Sequence, residues 1–174
     1  MSIYFFIAEA KYMSANEQSI FNFTAVSDKL AIGGQPATHQ FKLIADAGYS
    51  VILQLVVKEA SYSPADEAYH VQSFGLQHEV MHISFAAPTI EDVERFFGIM
   101  EKYTTEKVFV HCAVGYCTSG LISIYLMQHH GLSFAEARKK VAADWKPNLT
   151  WQQLIYTVTG VDITANMTPS NTIQ

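Results

Sequence analysis

At 174 residues the chain suits one domain, large enough to bury about two-thirds of its unfolded surface. Its hydrophobic fraction of 49% and charged fraction of 16% fit an ordinary globule. The net charge of −5 argues against broad binding to nucleic acid or to an anionic membrane, both of which need basic surface.

Residues 1–25 are irregular in pattern and read as an N-terminal arm, without the basic stretch and long apolar run of a signal segment. A domain over 26–160 follows, and residues 161–174 read as a frayed tail. Residues 26–32 predict a strand closed by Gly33-Gly34-Gln35-Pro36, and Thr38 caps a helix ending at Ala47-Gly48. SVILQLVV (50–57) is a β-branched apolar run that predicts a strand buried on both faces. Ser63-Pro64 opens a helix that stops at Gly75, and LQHEVMHI (76–83) alternates as a strand does.

Thr89 and Asp92 start a helix to about Tyr103, and residues 107–111 form a short apolar strand. Residues 119–130 predict a helix apolar all round, hence buried. Ser133 and Glu136 make a capping box for a helix to about Asp144, and a last helix runs over 150–159. Apolar runs of strand length leave no transmembrane segment, and a cytoplasmic location is expected. The alternation predicts an α/β fold of three layers, with a mostly parallel central sheet and helices on both faces. Ligands of such sheets bind at the carboxyl ends of strands.

That rule directs attention to VFVHCAVGYCTSG (108–120), where an apolar strand enters a loop and then a buried helix. A loop curling into a helix N-terminus turns backbone N–H groups inward and makes an anion site. Cys112 at its start is placed to become a thiolate and a nucleophile. Gly115 permits a tight turn, and the hydroxyl of Ser119 is placed to hydrogen-bond the sulfur. An arbitrary cysteine more often simply packs in a core. Here the strand, the His-Cys pair, the glycine and the helix together favour chemistry.

HCAVGYCTSG resembles the His-Cys-x5-Arg-Ser/Thr-Gly signature of the cysteine-dependent tyrosine and dual-specificity phosphatases. IGGQPATHQFKLIADAGYSVILQL (32–55) is similar to a small bacterial phosphatase-like family, also found fused to β-lactamase-like hydrolases. The resemblance implies a phosphatase-like fold and a nucleophilic Cys112. The loop residues His111, Ala113, Val114, Gly115, Tyr116, Cys117 and Thr118 would then hold a phosphorylated or other anionic ligand.

Two departures point to weak or absent turnover. Thr118 stands where the resemblance places an arginine, and the chain's only arginines, Arg95 and Arg138, fall in predicted helices. A hydroxyl replaces a bidentate cation there, and Lys58 and Lys146 are the candidate substitutes. The stretch Ser84-Phe85-Ala86-Ala87-Pro88 lacks the general acid the resemblance implies, leaving Asp92 as a displaced candidate. Glu91 and Asp92 also suit a helix start, which is the favoured reading of both.

Alternative readings are a rhodanese-like sulfurtransferase, a thiol redox sensor in which Cys117 traps an oxidised Cys112, and a docking module without turnover. His78 and His82 share a strand face but lack a third ligand, so neither metal nor cofactor is expected. His111 reads as a support for the loop.

Overall fold

The structure is a computed structural model, and it describes residues 20–60 and 66–167. The strand expected over 26–32 is two strands, β1 (Thr24–Ser27) and β2 (Leu30–Gly33), paired antiparallel. Ser27 and Asp28 explain the break, because the Ser27 hydroxyl accepts from the Lys29 N–H at 3.3 Å and turns the chain. α1 (Gln40–Asp46) follows, without a side-chain cap from His39. Instead the Gln40 carboxamide accepts from the Ala37 N–H at 2.8 Å.

β3 (Val51–Val57) is the buried apolar run read in the sequence. α2 (Glu67–Ser73) succeeds it, its expected Ser63-Pro64 start lying outside the described residues. β4 (Gln77–Ile83) and α3 (Ile90–Lys102) come next, then the short central β5 (Val108–His111). α4 (Tyr116–His130) begins three residues before the expected start, inside the 111–119 loop. α5 (Phe134–Arg138) is shorter than expected, because residues after it form a turn. The Arg138 guanidinium closes that turn by donating to the carbonyls of Ala142 and Ala143, each at 2.9 Å. α6 (Leu149–Thr159) and a 3-10 turn (Thr164–Met167) complete the described chain.

The sheet order is β1-β2-β5-β3-β4, parallel except for β1. Strand residues alternate between two apolar layers, as a period of two requires. Ile32, Val51, Leu53, Leu55, Val108 and Val110 pack under the α3–α6 side, with Phe96, Leu121, Trp145 and Trp151. Ala31, Ile52 and Phe109 face the opposite layer, with Phe41 and Ile44 of α1 and Val71 of α2. The expected three-layer α/β fold is therefore present.

Residues on both sides of 26–160 join the described core. Ile20 is buried in the second layer, and Ile163 in the first. The Asp162 carboxylate accepts the Thr164 N–H at 2.9 Å at the start of the 3-10 turn over Thr164–Met167. Among the described residues, no helix is long and apolar enough to cross a membrane.

α4 packs against α6 at Gly120, where an added Cβ would drive into the indole ring of fully buried Trp151. That indole in turn donates to the Phe85 carbonyl at 3.0 Å. The Gly120→Ala substitution should cost about 1–3 kcal/mol by overpacking. A lowered urea midpoint with an unchanged slope would register this; an unchanged midpoint would count against the packing described.

Candidate functional site

β5 ends at His111, and the chain then bends around Cys112 before α4 begins at Tyr116. Gly115 makes the bend possible: it is the N-cap of α4 with φ +86°, a conformation that strains residues bearing a Cβ. The loop's carbonyls are held from outside. The Gln35 N–H donates to the Ala113 carbonyl at 3.2 Å, and the Asn22 side-chain amide donates to the Val114 carbonyl at 3.0 Å. A peptide's N–H points away from its own carbonyl, so this bracing turns loop N–H groups inward. The Gly115 N–H indeed donates to Cys112 Sγ at 3.1 Å.

Cys112 is buried at the floor of a cavity of about 280 Å³, whose wall includes Val57, Glu59, Phe85, Val114 and Cys117. Its thiol is held far below the ordinary range, to about 5. The Cys117 thiol donating to the sulfur is the main cause, and it outweighs burial, which pushes the other way. The Thr118 hydroxyl and the N–H groups of Thr118 and Gly115 add to the effect. The same contact, with burial, pushes the Cys117 thiol up, so the pair carries its charge on Cys112. Both cysteines are free thiols. The sulfur thus sits at the positive end of α4, a setting that favours the thiolate.

Beneath the loop lies a polar cluster of which the sequence reading caught only His111. His111 is wholly buried, and its Nε2 lies 2.6 Å from a carboxylate oxygen of Glu67, on α2. The other Glu67 oxygen accepts from Gln35 at 2.6 Å and from Gln54 at 3.2 Å. His78 on β4 pairs with the Gln54 carbonyl oxygen at 3.1 Å. Burial pushes the Glu67 carboxyl up, but the contacts with His111, His78 and Gln35 win, and it is held down to about 2. Gln54, a polar residue inside an apolar strand, was the available signal. The partner carboxylate on another element had none.

Ser119 and Asp92 are both engaged in structural contacts, and for Asp92 this is the helix-start role favoured from the sequence. The Ser119 hydroxyl donates to the Gly115 carbonyl at 2.7 Å and accepts from the Ala142 N–H at 3.2 Å. It fastens the loop to the turn after α5 and makes no hydrogen bond to the sulfur. Asp92 forms a reciprocal capping box with Thr89, the carboxylate accepting the Thr89 N–H at 2.9 Å. Its second oxygen is paired with Arg95, so the residue starts α3 and is not presented as an acid.

No arginine or lysine lines the cavity among the described residues. Arg95 also donates to the His82 carbonyl at 3.0 Å, and Arg138 is tied to the turn after α5. Lys58 and Lys146 are exposed and outside the cavity wall. Among the described residues, the one carboxylate on that wall is Glu59, just past the carboxyl end of β3. It accepts from the Ser84 hydroxyl and from the N–H groups of Phe85 at 2.9 Å and Ala86 at 3.4 Å. Those donors, Ser84 foremost, hold its carboxyl down to about 2.

A cysteine in the loop between a central parallel strand and a buried helix, under helices on both faces, fits the class of the cysteine-dependent phosphatases. Within it the chain belongs to the PTP-NADK family, described as a DSP-PTPase phosphatase fused to NAD+ kinase, whose model matches residues 10–156. That description names NAD+ kinase as the fusion partner, where the sequence resemblance named a β-lactamase-like hydrolase. Membership displaces the rhodanese-like alternative.

Among solved structures, the chain is similar to a putative phosphatase (DUF442) from Shewanella putrefaciens CN-32. Identity is 26% and the TM-score 0.74, over 84% of this chain and 94% of that one. It shares its fold with Tk-PTP in the active form, at 20% identity and TM-score 0.67, over 80% and 97% of the two chains. The same holds for PTPMT1, solved in complex with PI(5)P, at 16% identity and TM-score 0.66, over 84% and 99%. No protein of curated function matches the chain in sequence.

The buried Glu67 carboxylate yields a stability prediction. Its folded-state value lies below the unfolded one, so its contribution is complete above about pH 4.5 and is lost as pH falls towards 2. Glu67→Ala should cost about 3–5 kcal/mol at neutral pH, because its partners stay buried and unpaired. Glu67→Gln should flatten the acid limb of the stability curve between those values. Equal acid limbs in wild type and variant would refute the assignment.

Proposed function

We propose that the chain binds a phosphate monoester or a similar oxyanion over Cys112 and turns it over slowly. One observation carries the reading: the Cys112 sulfur receives a backbone N–H at the N-terminus of α4, while both arginines are engaged elsewhere. In this reading the sulfur attacks phosphorus, the ester oxygen leaves, and water later releases phosphate from the cysteinyl-phosphate. Backbone N–H groups of residues 113–118 supply the anion site. Ser119, by fixing the Gly115 carbonyl, is a positioning residue.

The absent arginine accounts for the low rate. Elsewhere in phosphoryl transfer, loss of a transition-state arginine costs about 10³–10⁵-fold. The ligand is a small phosphorylated molecule or group, and the acidic chain has no call for nucleic acid or an anionic membrane surface. No cofactor enters the chemistry. A cytoplasmic setting, where Cys112 stays reduced, suits it.

Two measurements test this. Alkylation of Cys112 by iodoacetamide should titrate near pH 5, and Cys117→Ala should move the midpoint upward, since that thiol contributes most to the depression. Slow hydrolysis of p-nitrophenyl phosphate should vanish in Cys112→Ser and rise about 10²-fold or more in Thr118→Arg. Hydrolysis that survives Cys112→Ser would end the proposal.

The Cys117 contact favours a second role, peroxide sensing. The Cys112 thiolate would attack one peroxide oxygen, breaking the O–O bond and releasing hydroxide to leave a sulfenic acid. Cys117 would then attack that sulfur, expelling water and forming a disulfide. Mild hydrogen peroxide should produce an intramolecular disulfide by mass, absent in Cys117→Ala. Oxidation that passes directly to sulfinic acid in the wild type would count against a resolving role.

A further inference from the structure

Phosphoryl transfer to Cys112 leaves a negative charge on the departing oxygen. Either a positioned acid protonates it, or the leaving group must be a weak enough base to depart as an anion. Among the described residues, each group near the cavity that could supply that proton is already engaged.

The wall segment after β4, Ser84 to Pro88, contains no acid, and its Ser84 hydroxyl donates to Glu59. Among the described residues Glu59 is the wall's one carboxylate, and three donors from that segment converge on it. A proton added there would displace at least one of them, and at neutral pH the group holds no proton to give. Asp92 has both oxygens occupied by its capping box and by Arg95. Tyr116 lines the cavity, but its hydroxyl donates to Asp144 at 2.8 Å. The Cys117 thiol is directed to the Cys112 sulfur. The remaining wall of Val57, Ala60, Phe85 and Val114 is apolar, and suits the body of a leaving group rather than its charge.

We infer that this site is selective for phosphoryl groups carried on weakly basic oxygens of apolar molecules: acyl phosphates, or phosphate esters of acidic phenols. The inference rests on the phosphatase reading above and adds the substrate class to it. In the first step the Sγ lone pair forms the S–P bond. The P–O bond breaks, and its electron pair leaves on a carboxylate or phenolate, with no proton supplied by the protein. In the second step a water oxygen attacks phosphorus, the S–P pair returns to Cys112 as thiolate, and the displaced proton passes to solvent. Alkyl phosphates, whose alkoxides are strong bases, are excluded.

The test is a leaving-group series on the full chain: dinitrophenyl, nitrophenyl and phenyl phosphates, with benzoyl phosphate as the acyl arm and butyl phosphate as the alkyl arm. We expect kcat/KM to fall about tenfold for each unit of leaving-group basicity, from dinitrophenyl to phenyl. Butyl phosphate should stay at background. Turnover of benzoyl phosphate faster than its aryl counterpart of equal basicity would assign the natural source to mixed anhydrides, and the reverse order to phenol esters. The slope should be the same in Glu59→Gln.

A shallow dependence, with phenyl phosphate within about tenfold of dinitrophenyl phosphate, would overturn the inference while leaving the phosphatase reading intact. A slope that steepens in Glu59→Gln would overturn it too, by identifying Glu59 as an acid. Failure of every probe to phosphorylate Cys112 would remove the phosphatase reading itself.

Discussion

A carboxylate almost wholly withdrawn from water lies under the nucleophile loop, and the loop's position follows from it. Leaving an ion such as Glu67 without partners in that setting would cost several kcal/mol. Its oxygens therefore dictate where His111, Gln35 and Gln54 must sit. Those partners come from the ends of β5 and β2 and from the middle of β3, so satisfying one charge aligns three strands and α2. Gln35 has a double part. Its side chain meets Glu67, while its backbone N–H holds the Ala113 carbonyl. Buried charge and loop geometry are thereby joined through one residue.

Above that base, the loop separates two properties that travel together in an efficient phosphoryl-transfer site. Fixed N–H dipoles, a helix terminus and a depressed thiol are all present. Among the described residues no arginine or lysine lines the cavity: Arg95 braces Asp92, and Arg138 closes a turn beside Trp145. Dipoles suffice to gather an oxyanion and keep a sulfur ionised. They respond little to the charge that builds at the transition state, which is where a bidentate cation contributes most.

Much of this was legible in the sequence because it follows from local patterns. The β-branched run of β3, the alternation of β4 and the capping boxes at Thr89 and Ser133 each announce an element. The His-Cys pair before a glycine and a buried helix announced the loop. What escaped depended on partners distant along the chain. Nothing near Ser119 indicates that the Ala142 N–H would claim its hydroxyl, and nothing near Glu59 that the 84–86 backbone would converge on it. Glu67 reads as the polar face of a helix until α2 is laid against the sheet. The hairpin turning at Asp28-Lys29 was missed for the opposite reason, since the apolar run on both sides masked a two-residue turn.

The position of β5 has a consequence for assembly. It is the last strand in sequence, yet it lies between β2 and β3 and pairs with both. A chain emerging in order can form its earlier elements, but the sheet stays divided until residues 108–111 enter the gap. Entry of that strand brings Cys112 beside the Gly33 carbonyl, which accepts its N–H at 3.3 Å, and delivers α4 to its seat. Closure of the sheet and assembly of the 111–116 loop are then one event. A partly folded chain carries Cys112 as an ordinary thiol, and its reactivity becomes a reporter of complete folding.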